Sequence, residues 1–246
     1  MRFCECERLL NPAPLQIETG VERLESGGLH IAVNSILEHC TADMLEHWFA
    51  FGCNSDEYRL WHPGAHIYSE WIAREERVEG CETVAGLTHK AVELMGGHPA
   101  EAMLAYIDPF ELFGDKLKVA RAEGNADVVL YAEAAIGKWD QMQFDEKGRP
   151  AGCQYVGVGR NTPYGLVLRN HYWMGDTLPL PKEQIEQIFP IELGMAVMNH
   201  DMNEFHILGK VMPSYYLRDK WEELGAPEPF AKTKPWGPKA TPNSLV

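Results

Sequence analysis

Between Ile191 and Val211, apolar residues recur on two sides of a helical wheel. Leu193, Ala196, Val197, Ile207, Leu208 and Val211 share one side, and Met195, Met198, Met202 and Phe205 lie roughly opposite. The spacing predicts a long helix that starts at Pro190, where proline suits the first turn, and stops at Pro213. Two apolar stripes predict burial between layers. A short helix is expected before it, over about 181–189, and another after it, over about 214–224. Upstream, Thr41 is a good N-cap, Met44, Leu45, Trp48 and Phe49 recur at helical spacing, and Gly52 ends that helix.

The middle of the chain reads as strands. Extended runs are expected at about 31–39, 86–97, 103–107, 127–136, 152–159 and 164–174, with a turn at 145–149. Tyr58-Arg-Leu-Trp-His62 reads as a strand running into the Pro63-Gly64 turn. Residues 70–83 are heavily charged and read as a solvated loop or short helix. A helix, a run of antiparallel strands and a long helix make an α+β pattern. A curved sheet wrapped around the C-terminal helix accounts for its two stripes. The expected organisation is an irregular lead-in over 1–30, one domain over 31–224, and an extended Pro/Lys-rich tail over 225–246.

Composition narrows the function. The net charge of −14 argues against nucleic acid and anionic membrane surfaces as partners. No apolar run is long enough to span a bilayer, and no signal peptide is visible, so a cytoplasmic protein is expected. The six cysteines lack zinc-finger spacing and read as reduced thiols.

The chemistry centres on His200-Asp-Met-Asn-Glu204. Residues four apart share a helix face, and this face is apolar. Burying a lone carboxylate is costly unless it is paired or bound to a metal. A metal is the simplest partner, although a hydrogen-bonding pair is the ordinary reason for such spacing. Further ligands are open among His62, His66, His89 and Glu93; the last two share a face of the 86–97 strand by the period-2 rule. On the 164–174 strand Val167, Arg169, His171 and Trp173 share a face, with Arg169 expected to face solvent and His171 the better functional candidate. His206 points away from the pair and reads as structural.

Three segments together resemble the diacetylphloroglucinol hydrolase family: Thr41-Ala-Asp-Met-Leu-Glu-His-Trp-Phe49, Tyr58-Arg-Leu-Trp-His-Pro-Gly-Ala-His66, and His200-x-x-x-Glu204 followed by Met212-Pro213. Val92-Glu93-Leu-Met-Gly-Gly97 is a weaker fourth. The match runs in order over about 30–215. The resemblance implies a helix-grip, Bet v 1/START-like domain. It also implies a Zn2+ site of two His and two Glu, by position His66, Glu93, His200 and Glu204. His89 falls beside that set.

The implied reaction is hydrolysis of the carbon–carbon bond between an acyl group and a phenolic ring. Zinc would serve as Lewis acid and water activator. Tyr58 would position a phenolic hydroxyl, and His171 or a carboxylate near the metal would shuttle the proton to the departing ring carbon. The implied partner is a small aromatic or polyphenolic ketone, and a homodimer is left open. Three other readings compete: a non-haem iron oxygenase using two His and a carboxylate, a non-enzymatic carrier of hydrophobic ligands, and a structural zinc site in an interaction module.

Overall fold

The computed structural model describes residues 1–77, 83–221 and 223. Its elements in chain order are β1 (Gly20–Arg23), β2 (Leu29–Glu38), α1 (Ala42–Phe51), α2 (Ser55–Trp61), β3 (His66–Ala73), β4 (Leu87–Met95), β5 (His98–Ile107), α3 (Pro109–Phe113), α4 (Asp115–Ala122), β6 (Val128–Ile136), β7 (Cys153–Thr162), β8 (Gly165–Met174), α5 (Lys182–Ile188) and α6 (Ile191–Asp219). Among the described residues the strands form one antiparallel sheet of eight, in the order β1-β2-β8-β7-β6-β5-β4-β3. The long helix α6 packs across it. This is the expected α+β helix-grip architecture.

The sheet is covered on both faces. On the inner face α1, α2 and α6 contribute Leu45, Trp48, Tyr58, Trp61, Phe205 and Leu208 to one core. On the outer face a 3-10 helix, Phe3–Leu10, joins α3 and α4 in a second core around Leu9, Phe113, Leu117, Val156 and Trp173. The first 28 residues are therefore not irregular: that 3-10 helix and β1 lie within them. Residues 109–122, between the expected strands at 103–107 and 127–136, form α3 and α4, started by the Asp108 side chain accepting from the Phe110 amide and by Pro109.

Other expectations are corrected. Residues 58–61 are helical, not extended. The Asn54 side chain accepts from the amides of Asp56 and Glu57, and Glu57 reaches back to the Asn54 amide. This reciprocal cap outweighs the strand preference of Tyr and Trp. Residues 70–73 belong to β3 rather than to a charged loop. Residues 78–82, including Cys81, and the tail from 224 lie outside the described residues.

Pro213 does not end the helix; α6 continues to Asp219, so residues 214–219, expected as part of a separate helix, belong to it. The proline leaves the Gly209 carbonyl without its helical amide partner. The Cys40 thiol lies 3.2 Å from that oxygen and takes the place of the amide. The second apolar stripe is not a buried one: Met195 and Met202 are 43% and 44% exposed, and only Phe205 of that stripe is buried. α6 closes one open side of the sheet and keeps its other face in water.

Leu208, fully buried one turn beyond Glu204, should therefore matter where Met202 does not. Leu208→Ala is expected to cost about 2–5 kcal/mol, and Met202→Ala no more than about 0.5 kcal/mol, in equilibrium urea unfolding.

Candidate metal centre

Local chemistry places each side chain. The Asn54 cap starts α2 and turns Tyr58 inward, where it is 1% exposed. His62 caps the other end, and its carbonyl accepts from the amides of Ala65 and His66. That turn leads into β3, which opens with a register shift between His66 and Tyr68. His66 pairs directly with Glu93 of β4, on the inner face. Opposite them, α6 presents His200 and Glu204 from one side of the helix.

The four groups converge. The Nε2 atoms of His66 and His200 are 3.2 Å apart. Glu204 Oε2 lies 3.3 Å from His66 Nε2 and 3.8 Å from His200 Nε2. Glu93 Oε2 lies 3.4 Å from His200 Nε2. All four residues are buried. One donor atom from each of His66, Glu93 and His200 lies within 4.8 Å of the others, a spacing that can hold a metal ion.

Hydrogen bonds around the cluster aim the donors at a common point. His66 Nδ1 lies 2.9 Å from the Tyr58 carbonyl, which can only accept. Nδ1 therefore carries the proton, and Nε2 turns its lone pair toward His200 and Glu204. The Tyr58 hydroxyl donates to Glu93 Oε1 and leaves Oε2 facing His200. The Tyr58 ring stacks on His66 at 3.6 Å between centroids. One tyrosine thus holds two of the four groups, as outer partners of metal ligands do.

Electrostatics point the same way. Burial pushes the Glu204 carboxyl up to about 8; His200 opposes this and Glu93 adds to it. Burial also pushes Glu93 up, but His200, His66 and the Tyr58 hydroxyl outweigh it and the net direction is down. Burial lowers His66, which favours the neutral imidazole a metal requires. Lone pairs of two imidazoles and two carboxylates meeting in a buried space suit a divalent cation, and nitrogen with carboxylate oxygen is a zinc donor set.

The other candidates fall elsewhere. His89 bonds the Ser69 hydroxyl at 2.9 Å and stacks on Trp71, holding β3 to β4 beneath the cluster; burial lowers it to about 4. His62 stacks on His200 at 4.9 Å, outside the converging set. His206 is exposed, 2.9 Å from Lys210.

His171 is not brought to the cluster. It lies on the outer face of β8, between His30 and Trp173, with Nδ1 2.8 Å from His30 Nε2. Burial, His30 and Arg169 push it down to about 2. Arg169 shares that face but is not solvated: it is buried against Glu18 and the carbonyls of Asn11 and Ala13.

Residues of the opposite parity line the inner face, and one site residue there escaped the sequence reading. Asp201, beside His200, is 1% exposed. Its Oδ2 accepts from Tyr172 Oη at 2.5 Å and from Asn170 Nδ2 at 2.9 Å. Burial and Glu204 push its carboxyl well above the usual range. The signal was the Val197-Asp201-Phe205 row at i, i+4 spacing, an acid inside an apolar row. Asp201 borders a cavity of about 90 Å³, which has Glu93, His200 and Glu204 at one end and Leu104, Ala134, Ile136, Met174 and Val197 among its apolar walls.

Residues 1–217 match the family described as DAPG hydrolase PhiG domain. The chain belongs to that family. Two relatives called 2,4-diacetylphloroglucinol hydrolase, from Pseudomonas sp and Pseudomonas protegens, are each 23% identical over 243 residues. The alignments cover 91% of this chain and 77% and 74% of theirs. Among solved structures, protein Ms6760 from Mycobacterium smegmatis is similar at a TM-score of 0.43 and 10% identity, over 80% of this chain and 98% of its own. The resemblance read from the motifs, and the expectation of an enzyme that hydrolyses a carbon–carbon bond of a ketone, are borne out by this family and these relatives.

Two outcomes follow for the DAPG-hydrolase-family chain. Tyr58→Phe should weaken metal binding roughly 10- to 100-fold, measured by competition with a chromogenic chelator. Between about pH 6.5 and the Glu204 value of about 8, the folded metal-free chain keeps a proton on Glu204 that the unfolded chain has released. Stability of the chelated protein should therefore fall as pH rises through that window. A divalent ion should reverse the fall by replacing the Glu204 proton. Urea unfolding of chelated and loaded protein at both ends of the window measures this.

Proposed function

We propose that the protein is a zinc-dependent hydrolase that cleaves the carbon–carbon bond joining an acyl group to a phenolic ring, with His66, Glu93, His200 and Glu204 as the metal ligands. The observation that carries this reading is the convergence of those four buried groups, of which Glu93, His200 and Glu204 border a largely apolar cavity. It stands in a chain whose relatives are called 2,4-diacetylphloroglucinol hydrolase.

A zinc ion held there would supply Lewis acidity for the acyl carbonyl and an acidified water. The chain's own residues do the rest. Leu104, Ile136 and Met174 form an apolar wall that takes the carbon skeleton and keeps bulk water from the reacting end. Tyr58 acts by orientation: its hydroxyl is engaged by Glu93, so in this reading it holds a ligand rather than a substrate hydroxyl. The departing ring carbon keeps the bonding electron pair and must receive a proton. Asp201 and Glu204 border the cavity, whereas His171 lies across the sheet from it. A polyphenol ring eases this step, because its keto tautomer accepts the electrons as an enolate.

The test uses zinc-loaded protein, acylated polyphenols and ¹⁸O-labelled water. The expected products are the deacylated phenol and a carboxylic acid carrying one ¹⁸O, formed equally well without oxygen. Label drawn from O₂ would establish the oxygenase instead, and binding without products would establish the carrier. Glu204→Gln is expected to lower kcat/KM by more than about 100-fold, while His171→Gln leaves it nearly unchanged.

A further inference from the structure

We propose that Asp201 hydrogen-bonds a ring oxygen of the bound ligand and so selects hydroxylated rings, a proposal that rests on the acyl-phenol reading of the site. Asp201 stands one residue from His200 on α6 and faces β8. Its carboxyl is fixed from the sheet side. Tyr155 donates to Asn170 Oδ1 at 2.9 Å, Asn170 donates to Asp201 Oδ2 at 2.9 Å, and Tyr172 donates to the same oxygen at 2.5 Å. Two inner-face side chains thus hold one oxygen, and a third holds one of them. The other, Oδ1, is buried and has no partner in the protein.

Buried polar atoms are nearly always satisfied, so an orphan held this firmly has a partner to receive. The residue borders the cavity shared with Glu93, His200 and Glu204. Most of the remaining wall is apolar, including Leu104, Ile136, Met174 and Val197. A ring whose acyl group faces the four-group end carries its neighbouring ring oxygens along the wall that Asp201 occupies. Oδ1 can pair with a ring hydroxyl whichever of the two supplies the proton. A site built to hydrogen-bond a substrate oxygen rejects the analogue that lacks it, because its own buried atom is then left unpaired.

Binding, rather than turnover, tests this. Calorimetric titration of the zinc-loaded protein compares an acylated polyhydroxybenzene with the same acyl ring lacking its hydroxyls. Wild-type protein is expected to prefer the hydroxylated ligand by roughly 10- to 100-fold. Asp201→Ala is expected to remove most of that preference by weakening the hydroxylated ligand alone, with metal content unchanged and a rise in KM larger than any fall in kcat. Equal wild-type affinities overturn the assignment whether or not the variant folds, and leave the orphan atom to an ordered water. A variant that discriminates like wild type overturns it as well. If wild type discriminates, Asp201→Ala does not, and neither ligand is cleaved, the assignment of Asp201 is supported while the hydrolase reading fails.

Discussion

Four ionisable side chains, two imidazoles and two carboxylates, meet in the interior of this domain through contacts of 3.2 to 3.8 Å. Left to themselves they are a liability. Carboxylates buried side by side repel, and two imidazole lone pairs cannot satisfy one another. Burial, with a smaller push from Glu93, holds the Glu204 carboxyl up to about 8, so protonation there relieves part of the conflict. A divalent cation relieves all of it, because it replaces a proton with two charges and accepts every lone pair. The surrounding structure is arranged to keep the four groups in that conflict rather than to let them drift apart.

That arrangement has three parts. The Asn54–Glu57 cap forces a short helix where the chain could have stayed extended, and so turns Tyr58 inward. Tyr58 then holds His66 through its carbonyl and Glu93 through its hydroxyl. The register shift after His66 aligns it with Glu93 across two strands. The third part is α6, whose passage through Pro213 depends on Cys40 reaching the freed carbonyl of Gly209. Packing of Leu208 and Phe205 then sets the height at which His200 and Glu204 meet the sheet. The placement of the four groups, helix capping and core packing are therefore one coupled system.

The long helix and most of the strands were legible in the sequence, because each leaves a spaced pattern; spacing alone paired His200 with Glu204 and left their partners open among His62, His66, His89 and Glu93, and only the resemblance to the hydrolase family singled out His66 and Glu93. What was not legible has physical reasons. The period of two put Arg169, His171 and Trp173 on one face correctly. It could not say which face was inner, because the N-terminal 3-10 helix and α3–α4 bury the outer face too and erase the polar alternation. Residues 58–61 carry strand-like side chains, and only the cap three residues upstream decides their state. Pro213 reads as a terminator until a partner distant in sequence, Cys40, is placed beside Gly209. Asp201 left only a faint trace, one acid in the Val197-Asp201-Phe205 row: beside a His-x-x-x-Glu motif such an acid looks like a solvated one, and the positions of Asn170 and Tyr172 show its burial.

The central claim is that one divalent ion is held by two imidazoles and two carboxylates at this point in the core. X-ray absorption spectroscopy of the zinc-loaded protein tests it most directly. The account predicts a first shell of two imidazole nitrogens at about 2.0–2.1 Å with carboxylate oxygens at about 2.0–2.2 Å, and the loss of one imidazole signal in His66→Ala. A shell containing sulfur at about 2.3 Å, or one unaltered by that substitution, would contradict it.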